Sequence, residues 1–258
     1  MFRISIFGFR IFTDKKGITM KAAFRVGLLV PSSNTVMEVD LYRNLPAPIT
    51  VHPARMYLEE TTPEGERRMI SEEVPRVAGL LKTLRPNLVV FGCTSAGALY
   101  GPNFSREINR NIGAIVGCPV LDILSPVAEE LNRVRAKKLA VLTPYSSELN
   151  QSIRISLEGL GFQVLSIDGM GITVNFELAA PTAQEIVAFA QKSRVSLKAE
   201  ALFISCTNFR ALEAMPLLRK HFNLPIVTSN QATIEKIKRI YQGAARNPKG
   251  KENESRDT

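Results

Sequence analysis

The chain has 258 residues, 45% of them apolar, which is enough for one large domain or for two domains of about 100 to 150 residues. No segment approaches the roughly 18 to 20 uninterrupted apolar residues of a membrane-spanning helix, so we expect no membrane partner. The net charge of +9 is scattered, with no Lys/Arg stripe and no basic cluster interleaved with aromatic residues, which argues against nucleic-acid binding and leaves attraction of a small anion open.

From residue 24 onward, short runs rich in Val, Ile and Leu alternate with longer amphipathic segments. The apolar runs predict strands at 24–30, 49–56, 87–93, 138–144, 162–167, 201–206 and 224–229. Helical patterns lie at about 35–45, 64–84, 103–112, 125–135, 147–160, 182–195, 209–221 and 230–241. This alternation predicts an α/β fold with mainly parallel sheets flanked by helices, and the ligand crevice of such a fold lies at the carboxyl ends of the strands.

Two strand-to-turn motifs recur at one spacing. VGLLVPSSN at 26–34 is similar to LAVLTPYSS at 139–147, and VVFGCTS at 89–95 is similar to LFISCTN at 202–208. Pro31 and Pro144 of the first pair are separated by the same offset as Cys93 and Cys206 of the second, since 144 − 31 = 206 − 93. CPVLD at 118–122 and LPIVTSN at 224–230 form a third pair at a shorter distance. The sequence therefore predicts two pseudo-symmetric lobes with the active site in the cleft between them.

The duplication gives the domain organisation. We expect a first α/β lobe at 22–125, a second at 126–229, and a C-terminal helix at 230–242 that packs on the first lobe. Residues 1–21 are interpreted as an N-terminal extension that precedes the fold, because Arg10 interrupts their apolar stretch and no small-residue cleavage site follows. The polar segment 243–258 is expected to be a disordered tail.

Cys93 and Cys206 each lie where a predicted strand ends and a helix begins. Amide N–H groups at a helix N-terminus favour a thiolate, so both are candidate catalytic residues. A single cysteine in such a place is more often a small core residue, but two in matched Cys-Thr contexts weaken that interpretation. Cys118 has no counterpart in the repeat and is assigned to packing. Short polar side chains next to the two cysteines form a candidate nest for a carboxylate: Thr94, Ser95, Thr207 and Asn208.

Four further polar residues are candidate substrate ligands. Ser33 and Asn34 belong to a turn with more polar side chains than one helix cap requires. Tyr145 lies in the matching turn of the second lobe, where it can donate from its phenol or pack half-buried. Asn175 stands within an apolar stretch, and turn stabilisation and ligand binding remain equally open for it.

Other kinds of site are disfavoured. The sequence has no Cys-x-x-Cys and only two histidines, His52 and His221, both interpreted as structural, so we expect neither a metal site nor a disulfide scaffold. Three cysteines without a disulfide pattern fit a reducing, cytoplasmic location. No G-x-G-x-x-G follows the first strand and no G-x-x-x-x-G-K-[ST] occurs, so no nucleotide cofactor is expected.

The chain resembles the aspartate/glutamate racemase superfamily, and within it the branch of maleate cis-trans isomerases and arylmalonate decarboxylases. The resemblance covers about residues 24–241 and is carried by VGLLVPSSNTVMEVD (26–40), HPARM (52–56), FGCTSAG (91–97), TPY (143–145), VNFEL (174–178) and SCTNFR (205–210). It implies a cofactor-independent enzyme and a homodimer. It also implies a nucleophilic Cys93, an acid/base Cys206, and a dicarboxylate held by Asn34, Tyr145 and Asn175.

The two cysteines also decide between reactions. Decarboxylases of this branch keep only the second-lobe cysteine, so the resemblance favours isomerisation of maleate to fumarate through a cysteine adduct. A two-cysteine racemase acting on an amino acid or hydantoin is the alternative, because two thiols can face opposite sides of one carbon. A non-catalytic anion-binding protein is the alternative of another class. The charged segment 59–69 can lie over the cleft, with Arg67 or Arg68 near a substrate carboxylate, although exposed helix charges are the safer interpretation.

Overall fold

The computed structural model describes residues 23–193 and 195–246, so the predicted N-terminal extension and most of the predicted tail lie outside the described residues. The first lobe consists of β1 (Phe24–Pro31), α1 (Met37–Asn44), β2 (Ile49–Met56), α2 (Pro63–Arg68), a π-helical turn (Met69–Glu73), α3 (Val74–Lys82), β3 (Leu88–Phe91), α4 (Thr94–Ala98), α5 (Pro102–Val116) and β4 (Val120–Leu121).

The second lobe repeats this arrangement of strands and helices. It begins after α6 (Leu124–Arg133) and consists of β5 (Lys138–Thr143), α7 (Ser147–Gly159), β6 (Gln163–Gly169), a 3-10 turn (Phe176–Ala179), α8 (Ala183–Lys192), β7 (Ala201–Ile204), α9 (Ala211–His221) and β8 (Ile226–Thr228). The chain then enters α10 (Ser229–Arg246).

The two sheets have equivalent topology, which confirms the two-lobed α/β prediction. Each has four parallel strands, in the orders β2-β1-β3-β4 and β6-β5-β7-β8. Leu29 of β1 pairs with Phe91 of β3, and at the offset of the repeated motifs Leu142 of β5 pairs with Ile204 of β7. The spacing found in the sequence is therefore also the spacing of the strand register.

The apolar runs form central strands because helices cover both faces of each sheet. All residues of β3 and β7 are buried, and in β5 only Lys138 at the start is exposed. Strands buried on both faces gain stability from every side chain and not from alternate ones, which explains why the sequence shows continuous apolar runs.

The helices differ from the predicted ones at several points. A short helix, α4, follows Cys93 directly and was not predicted. The predicted helix at 64–84 is divided by the π-helical turn at Met69–Glu73. Residues 243–246, expected in the tail, continue α10, so the predicted end of that helix is four residues short. No helix in the described ranges is long and apolar enough to cross a membrane.

The last helix bridges the sequence halves. Lys236 pairs with Glu129 and Arg239 pairs with Glu130, which joins α10 to α6. Tyr241 packs edge-on against Phe24 at the start of β1. The amide of Asn230 donates to Asp40 in α1 at 2.8 Å. These contacts attach α10 to α6 and to α1 and β1 of the first lobe.

Candidate active site

The two matched cysteines are buried at the carboxyl edges of their sheets. Cys93 follows β3 by two residues and is the residue before α4, and Cys206 follows β7 by two residues; they are 5% and 4% exposed. Gly92 precedes the first, where a Cβ would stand 2.9 Å from the carbonyl oxygen of Leu29. Cys206 has φ of +112°, a conformation that costs a non-glycine residue on the order of 1–3 kcal/mol and occurs most often at functional sites.

The Cys93 thiol lies in a pocket that favours the neutral form. Its Sγ is 3.8 Å from the Ser95 hydroxyl, and the amide of Ala96 also hydrogen-bonds it. Burial raises the pKa of Cys93 well above its usual range, and the nearby Glu66 carboxyl raises it further. The amide and hydroxyl donors lower the pKa by less. Desolvation outweighs those donors, so the neutral thiol is favoured here and not the thiolate expected from the helix N–H groups.

The Cys206 thiol is held by a different set of donors. Its Sγ accepts a hydrogen bond from the amide of Asn208 at 3.2 Å, and the Tyr145 phenol also contacts it. Burial raises the pKa of Cys206 to about 12, against the lowering effect of both donors. Burial also raises the pKa of Tyr145, and charge on either cysteine raises it further. The cysteines and the phenol thus form one coupled group, neutral at pH 7.

The predicted asparagine ligands meet at the contact between the lobes. The Oδ1 of Asn34 caps α1 by accepting from the amides of Val36 and Met37. The Nδ2 of Asn34 donates to the hydroxyl of Thr207 at 3.1 Å. Asn175 donates from Nδ2 to Ser33 Oγ at 2.6 Å. These amides are held by protein groups, so binding substrate through them requires those hydrogen bonds to be exchanged.

Two of the predicted threonines also make contacts between the lobes. The hydroxyl of Thr207 donates to the carbonyl oxygen of Gly92 at 3.0 Å, which ties the turn after Cys206 to the turn before Cys93. Thr94 donates to Ser229 Oγ at 3.2 Å, and Ser229 in turn accepts from the amide of Cys206 at 3.1 Å. One direct hydrogen bond and one bridge through Ser229 therefore join the two cysteine turns. The cysteines are close enough that charge on Cys206 raises the pKa of Cys93.

Comparison with known proteins places this architecture in a family. The model of the arylmalonate decarboxylase family matches residues 26–251. The chain belongs to the arylmalonate decarboxylase family. A maleate isomerase of Geobacillus stearothermophilus is 23% identical over 231 residues, which are 84% of this chain and 92% of the relative.

Two solved structures of similar proteins share the fold. A maleate isomerase of Pseudomonas putida has a TM-score of 0.79 and 22% identity, covering 85% of this chain and 93% of that one. A variant of the Nocardia farcinica maleate cis-trans isomerase, with a covalently bound succinylcysteine intermediate, has a TM-score of 0.78 and 22% identity over 84% of this chain and 92% of that one. At this level of identity the likeness shows the fold.

The residues that the sequence analysis interpreted as structural or exposed have the following surroundings. Cys118 is half-buried just before β4, at the amino edge of the sheet. His52 lies in β2 beside Thr50, and His221 ends α9 beside Gln191. Exposed Arg67 donates to the phenol of Tyr100. Among the described residues, no group of three His, Cys, Asp or Glu is arranged to hold a metal ion.

Glu66, a buried residue of α2, was not predicted from the sequence. Thr62 caps this helix, Pro63 occupies its first turn, and Glu66 and Met69 then lie on its inner side. The hydroxyl of Ser95 donates a short hydrogen bond to Glu66 Oε1. The i, i+3 spacing of Glu66 and Met69 was the available signal, but in a segment rich in charge it was interpreted as solvent-exposed.

Proposed function

We propose that this protein is a cofactor-independent cis–trans isomerase that converts maleate into fumarate through a covalent adduct at Cys93. The observation that carries the proposal is the pair of buried cysteines at equivalent positions of the two lobes, joined through Ser229 and Thr207. The maleate isomerases among the relatives, and the succinylcysteine intermediate in one of their structures, support the same reaction.

The proposed reaction begins with transfer of the Cys93 proton to water, and Cys93 regains a proton from water after fumarate has left. The thiolate sulfur then forms a bond to one alkene carbon of maleate, and the former double bond becomes a single bond. The Cys206 thiol gives its proton to the other carbon, so that a succinyl adduct is attached to Cys93. After rotation about the new single bond, the Cys206 thiolate removes a proton from the same carbon, the C–S bond breaks, and fumarate leaves. No electrons are gained or lost overall.

Each cysteine has the surroundings that its part requires. The Ser95 hydroxyl and the Ala96 amide lower the pKa of Cys93 and so stabilise the attacking thiolate. Tyr145 and the Asn208 amide stabilise the thiolate that Cys206 becomes after donating its proton. We assign Asn34, Tyr145, Asn175 and Ser33 to the substrate carboxylates, together with the turns at Thr94–Ser95 and Thr207–Asn208. We further propose a homodimer in the cytoplasm, as the family resemblance and the free cysteines indicate.

Proton NMR of the protein with maleate tests the proposal. We expect fumarate signals from the wild type and from Cys118→Ser, the matched control with its cysteine outside the cleft. Cys93→Ser and Cys206→Ser should each lose on the order of a thousandfold or more in rate, because each removes an atom that changes bonding. Turnover at the wild-type rate by either variant would refute the two-cysteine mechanism. Light scattering after gel filtration tests the dimer.

Mass spectrometry separates the two roles. Cys206→Ser incubated with maleate should accumulate an adduct heavier by one maleic acid at Cys93, whereas Cys93→Ser should not. Inert maleate combined with deuterium exchange at the α-carbon of aspartate, glutamate or a hydantoin would indicate a two-cysteine racemase. Absence of all these reactions, with dicarboxylate binding intact, would indicate a binding protein.

A further inference from the structure

Glu66 is a buried carboxyl near both cysteines, and only one of its two oxygens has a hydrogen-bond partner among the described residues. The residue is 0% exposed, and its Oε1 accepts from the hydroxyl of Ser95. Among the residues that the structure describes, its Oε2 has no hydrogen-bond partner. Its negative charge would raise the pKa of Cys93, Cys206 and Tyr145, so the carboxyl lies close to all three. A buried polar atom without a partner, beside reactive groups, indicates a ligand contact.

The groups around Glu66 favour its neutral form. Burial raises the pKa of Glu66 to about 8, and the hydrogen bond from Ser95 lowers it by less. The titratable groups that face it are the two cysteines and the Tyr145 phenol, all neutral in this range. On the adjoining π-helical turn, Glu72 is exposed and Glu73 pairs with Arg76. Within the described ranges, no Lys, Arg or His is among the main causes of the pKa shifts of Glu66, Cys93 and Cys206.

The hydrogen bond with Ser95 engages Oε1 and leaves Oε2 as the oxygen that is open to a new partner. A neutral carboxyl can donate from the oxygen that carries its proton. We propose that protonated Glu66 is a substrate-binding residue, which donates from Oε2 to a carboxylate of the dianionic substrate. The inference rests on the proposed function only for the class of ligand, a dicarboxylate.

Charge balance explains why the Glu66 carboxyl should keep its proton when a substrate binds. Under the proposed function the substrate is a dianion, and among the described residues the groups around Glu66 are neutral, with no Lys, Arg or His among the causes of their pKa shifts. An ionised Glu66 would add a third negative charge and remove a donor, whereas the neutral acid offers a hydrogen bond to a charged group, the stronger kind. Binding should therefore weaken as pH rises through about 8 and should be accompanied by proton uptake.

Binding of succinate tests this without any turnover. Succinate has the two carboxylates but no double bond, so Cys93 cannot add to it. Titration calorimetry at pH 7 to 9.5, in buffers of high and low ionisation enthalpy, measures affinity and proton uptake together. The variants are Glu66→Gln, whose amide accepts from Ser95 and donates as the neutral acid does, and Glu66→Leu, which cannot donate. Glu64→Gln is the matched control, since this exposed residue lies on the same helix.

For the wild type we expect uptake of about half a proton at pH 8 and an affinity that falls toward tenfold per pH unit above it. Glu66→Gln should keep the pH 7 affinity and lose the pH dependence. Glu66→Leu should bind roughly ten- to a hundredfold more weakly at pH 7. Glu64→Gln should behave as the wild type does.

Three results would overturn the proposal. The wild-type affinity for succinate could be independent of pH, Glu66→Gln could bind succinate as weakly as Glu66→Leu does, or the wild type could fail to bind succinate at pH 7. The proposed isomerisation can fail separately. Inert maleate together with the expected succinate profile would refute the reaction and leave the role of Glu66 standing.

Discussion

Replacing Glu66 by Gln should make the stability of the free protein less sensitive to pH. The pKa of this carboxyl is 4.5 without the protein environment and about 8 in the fold. Between these values the folded state holds a proton that the unfolded chain has released. The contribution of the side chain to stability is therefore complete below pH 4.5 and is lost as pH rises through 8. Gln does not titrate, so its contribution to stability does not change with pH.

The size of the effect follows from the pKa difference of 8 − 4.5 = 3.5. Each unit corresponds to about 1.4 kcal/mol, so the full loss has an upper limit of roughly 5 kcal/mol. Roughly 2 to 3 kcal/mol of it falls between pH 6 and pH 9. For a chain of this size, that corresponds to a change in melting temperature of roughly 5 to 10 °C.

Thermal unfolding of the wild type and Glu66→Gln at pH 6 and pH 9, without ligand, measures this quantity. All other titrations are common to both proteins, so they cancel in the difference between the variants. The advantage of Glu66→Gln in unfolding free energy should grow by roughly 2 to 3 kcal/mol from pH 6 to pH 9. Glu64→Gln should show no such growth. A constant difference between wild type and Glu66→Gln would refute the raised pKa, because it would mean that the buried carboxyl does not hold its proton.

Three further predictions concern the backbone and the last helix. Cys206→Gly should be more stable than Cys206→Ala by about 1–2 kcal/mol in chemical denaturation, because only glycine relieves the positive φ; equal stabilities would contradict strain at this turn. Gly169→Ala should destabilise by several kcal/mol, since its Cβ would overlap a backbone oxygen of the loop after β5, whereas Gly79→Ala, with open space, should be neutral or stabilising by about 1 kcal/mol. Arg239→Ala should cost about 1–3 kcal/mol, because it takes one of two ion-pair partners from the buried carboxylate of Glu130; an unchanged melting temperature would show that α10 is held without it.

Local patterns in the sequence were sufficient to predict the α/β architecture. The strand at 49–56 was predicted to the residue, and most other strands differ by one to three residues at an end. Continuous apolar runs and helical periodicity are local consequences of burial, so a single sequence records them. The common offset of the repeated motifs predicted both the pairing of the lobes and the equivalence of Cys93 and Cys206.

The predicted helix boundaries were least accurate where tertiary contacts override the local helical propensity. The residues of α4, Thr94–Ala98, include glycine and have weak helical periodicity, yet all five are buried against neighbouring elements. The turn at Met69–Glu73 widens to a π-helix inside a segment that reads as one regular helix. Propensity is a small effect beside packing at such positions.

The sequence by itself determined the α/β class, the duplication and the two cysteines, because strand and helix patterns and the repeat are written in neighbouring residues. Only the tertiary structure decided the chemical state of the site. The raised pKa values of Cys93, Cys206 and Glu66 come from desolvation by residues distant in sequence. Partners such as Asn34 and Thr207 are 173 residues apart, and no local pattern encodes their contact. Burial and long-range hydrogen bonding are properties of the packed chain, so the role of Glu66 became visible only there.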